Sequence, residues 1–214
     1  MKAVIFDMDG VIFDTENVWK RALEIASKKF NLDLDDEYRI SVCGKNEDLI
    51  RKELRERFPD LDINSYRDYI HKLVNDSIYN GEYDVKPYFL DLVAYLKKNN
   101  YKIALATSSS KTKAEITFKN KNIDINIFDT AVFGDDVGKL GKPNPFIFNL
   151  AAKRLNITNE ECYVIEDSIN GLMAAVNGNF TPIMVIDLTP PNDYIRENVK
   201  YIFNSLNDVK NLIK

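Results

Sequence analysis

The sequence predicts an α/β protein: a Rossmann-like, doubly wound parallel sheet into which a bundle of helices is inserted. A short apolar run at residues 3–6 indicates a buried first strand. From about residue 84 onward, strand-like and helix-like segments alternate, which is typical of parallel strands joined by helical crossovers. Between these two parts, residues 16–82 show helical periodicity and no clear strand signal. We therefore expect a catalytic core made of residues 1–15 and 83–214, and a helical cap domain made of residues 16–82.

The individual elements follow from apolar spacing and from residues that begin or end helices. In the cap, Asp14 or Thr15 is a suitable N-cap for a first helix, Pro59 ends a second helix, and Asn80-Gly81 ends a third. The cap helices are predicted at residues 18–30, 48–58 and 65–79. In the core, strands are predicted at residues 3–6, 102–106, 131–133, 163–165, 183–186 and 200–203. Core helices are predicted at residues 88–98, 111–121, 144–155 and 169–176, with one more at the C-terminus.

Composition excludes several classes of function. The net charge of −4 argues against a general nucleic-acid binder, although local cations and a metal could still bind a phosphorylated substrate. Two distant cysteines, Cys43 and Cys162, and the single histidine, His71, do not form a usual zinc ligand set. The chain has no apolar run of membrane-spanning length and no signal peptide before the first strand. We expect a cytoplasmic monomer or weak homodimer, with no nucleic-acid or membrane partner.

The first strand ends in two carboxylates, Asp7 and Asp9, followed by Gly10. In open α/β sheets, ligands bind outside the carboxyl ends of the strands. Two carboxylates this close repel each other unless a cation or a shared proton offsets the charge, and hard oxygen ligands suit Mg²⁺. Asp and Gly also favour turns, so the pair alone leaves a metal site and a simple turn both open.

Three further polar segments lie near predicted strand ends. Residues 107–110 (Thr-Ser-Ser-Ser) could bind phosphate oxygens or could only cap a helix. Lys142, in the segment Gly-Lys-Pro-Asn-Pro, could aim its ammonium inward or lie solvated in a turn. Glu166 and Asp167 follow another strand and supply further acidic ligands, although Asp167 or Ser168 could be an N-cap.

Taken in order, Asp-x-Asp-Gly-Val, Thr-Ser-Ser, Gly-Lys-Pro and Glu-Asp-Ser resemble the four motifs of the haloacid dehalogenase superfamily of phosphotransferases. The helical insertion resembles the small cap of that superfamily, and the group that the chain most resembles is the β-phosphoglucomutase-like phosphatases. The resemblance covers nearly the whole chain, and its four motifs are specific when taken together. The cap matches in architecture and hardly in sequence.

The resemblance implies a mechanism. Asp7 would be the nucleophile that accepts the phosphoryl group, and Asp9 the general acid and then base, a role for which we expect a raised pKa. Mg²⁺ would be held by Asp7, by the backbone carbonyl of Asp9 and by Asp167, with Glu166 as a ligand or as a partner of the ligands.

The resemblance also implies which residues bind the substrate, a small phosphorylated metabolite. Thr107, Ser108, Ser109 and Lys142 would bind the phosphoryl group that is transferred. Lys45 lies in a segment expected at the interface of cap and core. It could contact a distal phosphate or sugar, or be a solvated side chain.

Alternative functions remain open at this point. A phosphosugar mutase would share every core residue with a phosphatase. In the sugar mutases that the chain resembles, a histidine about five residues beyond the Asp-Thr hinge gates the reaction. Trp19 or Lys20 stands there in this chain, which favours hydrolysis, and Trp19 could pack inside the cap or line the substrate entrance. A phospho-accepting receiver module and a metal-free dehalogenase fit less well, since a receiver needs no cap and a dehalogenase would lack Asp9.

Overall fold

A six-stranded parallel sheet lies at the centre of the structure, a computed structural model that describes residues 2–42 and 47–213. The strand order is β3-β2-β1-β4-β5-β6. The strands are β1 (Ala3–Phe6), β2 (Lys102–Ala106), β3 (Thr130–Val132), β4 (Cys162–Glu166), β5 (Thr181–Val185) and β6 (Tyr201–Phe203). The predicted α/β class with a doubly wound parallel sheet is confirmed.

Eleven α-helices occur in the described ranges. They are α1 (Glu16–Lys29), α2 (Asp36–Val42), α3 (Glu47–Arg57), α4 (Ile63–Tyr79), α5 (Phe89–Lys98), α6 (Lys111–Asn120), α7 (Gly134–Val137), α8 (Phe146–Leu155), α9 (Ile169–Asn177), α10 (Asp193–Asn198) and α11 (Leu206–Leu212). None of these helices is long and apolar enough to cross a membrane.

Strand β1 is central because both of its faces are covered. All four of its residues are fully buried, and alternate side chains enter different apolar clusters. Val4 and Phe6 join the cluster that contains Leu92 and Leu96 of α5, whereas Ala3 and Ile5 join the cluster that contains α8. Strands buried on both faces are nearly continuous apolar runs, which explains why such a short segment was recognisable in the sequence.

The register of the sheet aligns the ends of three strands. Phe6 lies opposite Leu105 of β2 on one side and Ile165 of β4 on the other. The chain therefore leaves β1, β2 and β4 at the same edge of the sheet, and the polar residues that follow these strands are brought together.

Helices α1 to α4 form the insertion between β1 and α5. Helix α1 packs against α4 through apolar faces that carry Ala22 and Leu23 from one helix and Ile70 and Val74 from the other. The two connections to the sheet run side by side: Asp14 donates its backbone N–H to Asp84 (2.9 Å) and Lys86 to Ile12 (2.8 Å). The division into a core of residues 1–15 and 83–214 and a cap of residues 16–82 stays a prediction.

The sequence analysis did not predict the shortest helices, and it placed several helix and strand boundaries a few residues from their observed positions. Helices α2, α7 and α10 have four to seven residues, too short for apolar periodicity to be visible. Helix α8 begins at Phe146 rather than at residue 144, because Asn144 lies in the turn and accepts the backbone N–H of Phe146 with its side chain (2.9 Å). Of the two cysteines, Cys162 is a buried free thiol and Cys43 lies outside the described residues.

Candidate active site

Four sequence segments meet at the aligned strand ends. Asp7 follows β1, Thr107 follows β2, and Glu166 ends β4 and is followed by Asp167. Lys142 comes from the loop between α7 and α8, and its peptide bond to Pro143 is cis. These residues, Thr107 excepted, line a cavity of about 660 Å³ together with residues of the helical insertion. The sequence therefore predicted correctly which core segments come together.

The Lys142 ammonium lies between two buried carboxylates. Its Nζ is 2.5 Å from Oδ1 of Asp7 and 2.6 Å from Oε1 of Glu166. The Lys142 side chain is only 7% exposed, so the solvated alternative is wrong. Burial alone would lower its pKa, but Asp7 and Glu166 outweigh burial and raise it, which keeps the ammonium charged.

Asp7, Glu166 and Asp167 form a buried acidic cluster, with ligand oxygens all within 4.8 Å of one another. Three carboxylates share one ammonium, so the cluster carries excess negative charge when all three are ionised. Burial, the largest cause, and the charges of Glu166 and Asp9 raise the pKa of Asp7 to about 8 against the opposing effect of Lys142. Burial and the charges of Glu166 and Asp7 likewise raise the pKa of Asp167 well above its usual value. An all-oxygen site with uncompensated negative charge fits a hard divalent cation such as Mg²⁺.

The carboxylates of Glu166 and Asp167 are held in different ways. Both oxygens of Glu166 already accept hydrogen bonds, Oε1 from Lys142 and Oε2 from the backbone N–H groups of Asp167 (3.0 Å) and Ser168 (2.7 Å). Asp167 packs against Gly10, which has a φ of +79°, and a Cβ at Gly10 would collide with the Asp167 carboxylate. Glycine is therefore required there both by its backbone conformation and by the close approach of a cluster member.

Asp9 turns its carboxylate away from this cluster. Oδ1 accepts a hydrogen bond from the Thr15 hydroxyl (2.8 Å), Oδ2 accepts one from the Ser109 hydroxyl (2.9 Å), and Nζ of Lys113 lies 3.7 Å from Oδ1. Thr15 is the N-cap of α1 by position, but it makes no side-chain capping bond, since its hydroxyl goes to Asp9.

The expectation of a raised pKa for Asp9 is wrong in this conformation. Burial acts to raise the pKa and is the largest single effect. Lys113 and the hydrogen bonds from Thr15 and Ser109 together outweigh it and lower the pKa. The sequence could not reveal this, because two of the three partners lie about a hundred residues further along the chain.

The Thr-Ser-Ser-Ser segment caps a helix and also lies beside the cavity, while its binding of phosphate stays a prediction. Ser110 is the N-cap of α6 and accepts the backbone N–H of Lys113 (3.2 Å). Thr107 is buried and accepts the backbone N–H of Ser109 with its hydroxyl (3.0 Å), while Ser108 lines the cavity. The segment thus begins a helix and presents polar groups to the site.

Several cavity residues come from the insertion or were missed. Trp19 lines the cavity and also packs edge-on against His71 with ring centroids 5.4 Å apart. Glu47, Arg67 and Lys113 also line the cavity and were not singled out from the sequence. A signal existed for Arg67, a charged residue on the apolar stripe of α4. Lys45 lies outside the described residues, so its role stays a prediction.

The acidic cluster predicts how pH and Mg²⁺ affect stability. The pKa of Asp7, about 8 in the folded protein, exceeds the value of about 3.9 for an unfolded Asp. The folded state therefore binds more protons between these values, and metal-free protein should lose stability as pH rises from 5 to 8. Since Mg²⁺ replaces protons on the carboxylates, it should stabilise more at pH 8 than at pH 6.

Thermal melting in EDTA and in Mg²⁺ at both pH values measures this effect. Mg²⁺ at a hundred times its dissociation constant supplies about 2.7 kcal/mol, roughly 5–10 °C in Tm for a chain of this length. Equal melting temperatures with and without Mg²⁺ at pH 8 would contradict a metal site at this cluster.

Curated relatives match almost the entire chain. A protein of Thermotoga maritima named phosphorylated carbohydrates phosphatase is 29% identical over 217 aligned positions, covering 100% of this chain and 91% of the relative. A Saccharomyces cerevisiae protein named as a probable pseudouridine-5'-phosphatase is 33% identical, covering 82% of this chain and 78% of its own.

Solved structures also match almost the entire chain. A variant of CbbY from Rhodobacter sphaeroides, in complex with xylulose-1,5-bisphosphate, is 25% identical with a TM-score of 0.74, covering 96% of this chain and 94% of its own. The fold also matches a β-phosphoglucomutase from Clostridium difficile at 24% identity and a TM-score of 0.73, covering 98% and 93% of the two chains.

A family model described as haloacid dehalogenase-like hydrolase matches residues 1–179. This match includes all four motifs at the strand ends and the helical insertion, and it leaves no place for the receiver-module alternative. The chain therefore belongs to the haloacid dehalogenase-like hydrolases.

Proposed function

We propose that the protein is a Mg²⁺-dependent phosphatase of a small phosphorylated metabolite, a sugar phosphate in particular, and that it works through an aspartyl phosphate on Asp7. The observation that carries this proposal is the buried cluster of Asp7, Glu166 and Asp167 around the Lys142 ammonium. Two relatives named as phosphatases of phosphorylated carbohydrates and of pseudouridine 5'-phosphate support the same chemistry.

Asp7 is the nucleophile in this proposal. One of its carboxylate oxygens attacks phosphorus, a P–O bond to Asp7 forms, and the P–O bond to the substrate's alcohol breaks. Lys142 keeps Oδ1 of Asp7 in place at 2.5 Å, which leaves Oδ2 for the attack. Mg²⁺ bound by Asp7 and Asp167 would neutralise charge on the phosphoryl oxygens. Glu166 orients Lys142 and the following turn, because both of its oxygens are already occupied.

Asp9 transfers protons in this proposal. It gives a proton to the leaving alcohol, then takes one from the water that attacks the aspartyl phosphate and releases inorganic phosphate. In the conformation observed here, Thr15, Ser109 and Lys113 hold Asp9 as a carboxylate. The acid step therefore requires Asp9 to leave these partners, take up a proton from solvent and turn toward the substrate.

Charge on the transferred phosphoryl group is balanced by groups around the strand ends. Lys142 supplies a fixed positive charge, and the Thr-Ser-Ser segment supplies hydroxyl and backbone donors from Thr107 and Ser108. Phosphoryl transfer depends mainly on positioning and electrostatic stabilisation, so these groups account for much of the expected rate.

A phosphosugar mutase is the second candidate, because the fold matches a β-phosphoglucomutase. Trp19 favours the phosphatase. Trp19 or Lys20 stands where the mutases that the chain resembles have a gating histidine, and Trp19 lines the cavity. An indole cannot relay a proton as imidazole does.

The test is a panel of sugar phosphates, nucleotides and phosphorylated acids, each assayed for phosphate release and for isomerisation in Mg²⁺ and in EDTA. We expect Mg²⁺-dependent release of phosphate from sugar phosphates. Isomerisation of β-glucose 1-phosphate faster than phosphate release would favour the mutase, and full activity in EDTA would rule out the metal-dependent mechanism.

A further inference from the structure

We propose that the substrate is a sugar phosphate whose sugar also carries a planar ring, as in a nucleoside 5'-monophosphate, and that Trp19 and Leu49 of the insertion bind this ring. The inference rests on the proposed phosphatase function and specifies the alcohol part of the substrate. It follows from the chemistry of the residues that line the cavity of about 660 Å³.

Two chemically different sets of residues line this cavity. Among the described lining residues, eleven lie outside the insertion, and Ile169 is the only apolar one of these. Nine come from the insertion, and five of the nine are apolar: Trp19, Leu23, Val42, Leu49 and Ile50. A cavity that is polar around the strand ends and largely apolar along the insertion fits a substrate with the same division, a phosphate and an apolar part.

Leu49 is exposed in this cavity without a packing role in its own helix. The buried positions of α3 are Ile50 and Leu54, which lie four residues apart and form its apolar stripe. Leu49 lies beside this stripe and is 46% exposed. It is the only large exposed apolar residue of the described chain that also lines the cavity. Covering such a side chain with an apolar surface of a ligand favours binding.

Trp19 offers a flat apolar surface in the same cavity. It lies four residues before Leu23 and therefore on the same face of α1. Its indole packs perpendicular to the His71 imidazole with ring centroids 5.4 Å apart, which restricts the orientation of the indole. Stacking of a nucleobase on an aromatic side chain strengthens binding by about five- to 150-fold.

A sugar that carries only hydroxyls fits this surface less well. Hydroxyls placed against Trp19 and Leu49 would lose their hydrogen bonds to water without gaining new partners. The remaining lining residues of the insertion are polar and can bind the hydroxyls of the sugar that joins phosphate and ring; they are Glu16, Ser41, Glu47 and Arg67. A volume of about 660 Å³ is in the range of pockets that enclose ligands with more than one ring.

Uridine 5'-monophosphate and ribose 5-phosphate form a matched test pair, because both are esters of the same ribose hydroxyl and differ by the base. For the wild-type protein with Mg²⁺, we expect kcat/KM for the nucleotide to be higher by about tenfold. The difference should arise mainly in KM, since the ring lies away from the bond that breaks.

Two variants test whether the proposed residues cause this preference. Leu49→Asn keeps a similar shape but replaces apolar surface by an amide, and it should reduce the preference by about threefold or more. Trp19→Leu removes the aromatic ring and should reduce it by about fivefold or more. Leu90→Asn is the matched control, because Leu90 is 53% exposed on α5 and does not line the cavity. This control should keep the wild-type preference.

A binding measurement gives a readout that does not depend on turnover. Trp19 is the only tryptophan in the chain, so the tryptophan fluorescence reports directly on its surroundings. Excitation at the long-wavelength edge of the indole absorption avoids absorption by uracil. In Asp7→Asn with Mg²⁺, saturating uridine 5'-monophosphate should quench this fluorescence more strongly than saturating ribose 5-phosphate.

The outcomes separate the two proposals. Equal or better use of ribose 5-phosphate by the wild-type protein overturns the ring-binding proposal, as does equal quenching by the two ligands. An unchanged preference in a folded Leu49→Asn protein also overturns it, whether or not Trp19→Leu folds, and so does a preference that falls equally in Leu90→Asn. Failure to hydrolyse any monoester, p-nitrophenyl phosphate included, overturns the phosphatase function, and the fluorescence titration then decides by itself whether the cavity binds the ring.

Discussion

Replacing Asp7 by Asn is expected to lower the rate of phosphate release by on the order of 10³-fold or more, with the fold retained. An amide has almost the same shape and can still accept a hydrogen bond from Lys142 through its oxygen, but it cannot form the covalent phosphoryl intermediate. The variant should be compared with wild type by phosphate release in Mg²⁺ at saturating substrate and by thermal melting.

The same substitution is expected to raise the stability of the metal-free protein, although it lowers activity. Asp7→Asn removes one of the three carboxylates of the buried acidic cluster, so metal-free variant protein should melt at a higher temperature than metal-free wild type at pH 8. Asp60→Asn, at an exposed turn position, is the control and should change neither quantity. A folded Asp7→Asn protein with more than a tenth of wild-type activity, a loss of only about 1.4 kcal/mol, would show that Asp7 is not the nucleophile.

The core of the site was predictable because its residues follow strands that the sequence identifies. Asp7, Thr107 and Glu166 each come directly after a short apolar run, and parallel strands end at one edge of the sheet. A strand register that places Phe6 opposite both Leu105 and Ile165 then brings these residues together. Local sequence and one topological rule were sufficient for this part.

The partners of the site residues were not predictable in the same way. Lys113 lies in the first turn of an otherwise polar helix, and nothing in the sequence around it indicates that its ammonium approaches Asp9. Asp14 or Thr15 was the predicted N-cap of α1, yet the Thr15 hydroxyl accepts no capping hydrogen bond and donates its hydrogen to Asp9. Such contacts depend on how side chains from distant elements are oriented, which no periodicity encodes.

The helical insertion shows an intermediate case. Its helices α3 and α4 were predicted from apolar spacing, but the short helix α2 was missed. The Glu47–Arg67 ion pair joins helices α3 and α4 of the insertion. Predicting this pair would require knowledge of how α3 packs on α4. A buried arginine on an apolar stripe could have indicated a paired charge, since charged residues are almost never fully buried alone.

Replacing Lys142 by Met should damage both catalysis and stability. The ammonium is 2.5 Å from Asp7 and 2.6 Å from Glu166 and is nearly fully buried, and leaving buried charges without their partner costs about 3–5 kcal/mol. We expect metal-free Lys142→Met to melt well below wild type at pH 8, by roughly 6–20 °C. Phosphate release should fall by about 10²-fold or more, because a fixed positive charge next to the transferred phosphoryl group is lost.

The pH dependence distinguishes this electrostatic explanation from a simple packing defect. Without Lys142, the pKa of Asp7 should rise further above its value of about 8, so the folded variant keeps its proton at pH values where the wild-type carboxyl ionises. The stability difference from wild type should therefore be smaller at pH 7 than at pH 9, whereas a packing defect would cost the same at both. Lys139→Met, three residues earlier at an exposed position, is the matched control and should melt and hydrolyse as wild type does. A Lys142→Met protein with the same deficit at both pH values would show that the ammonium contributes by packing and not by charge.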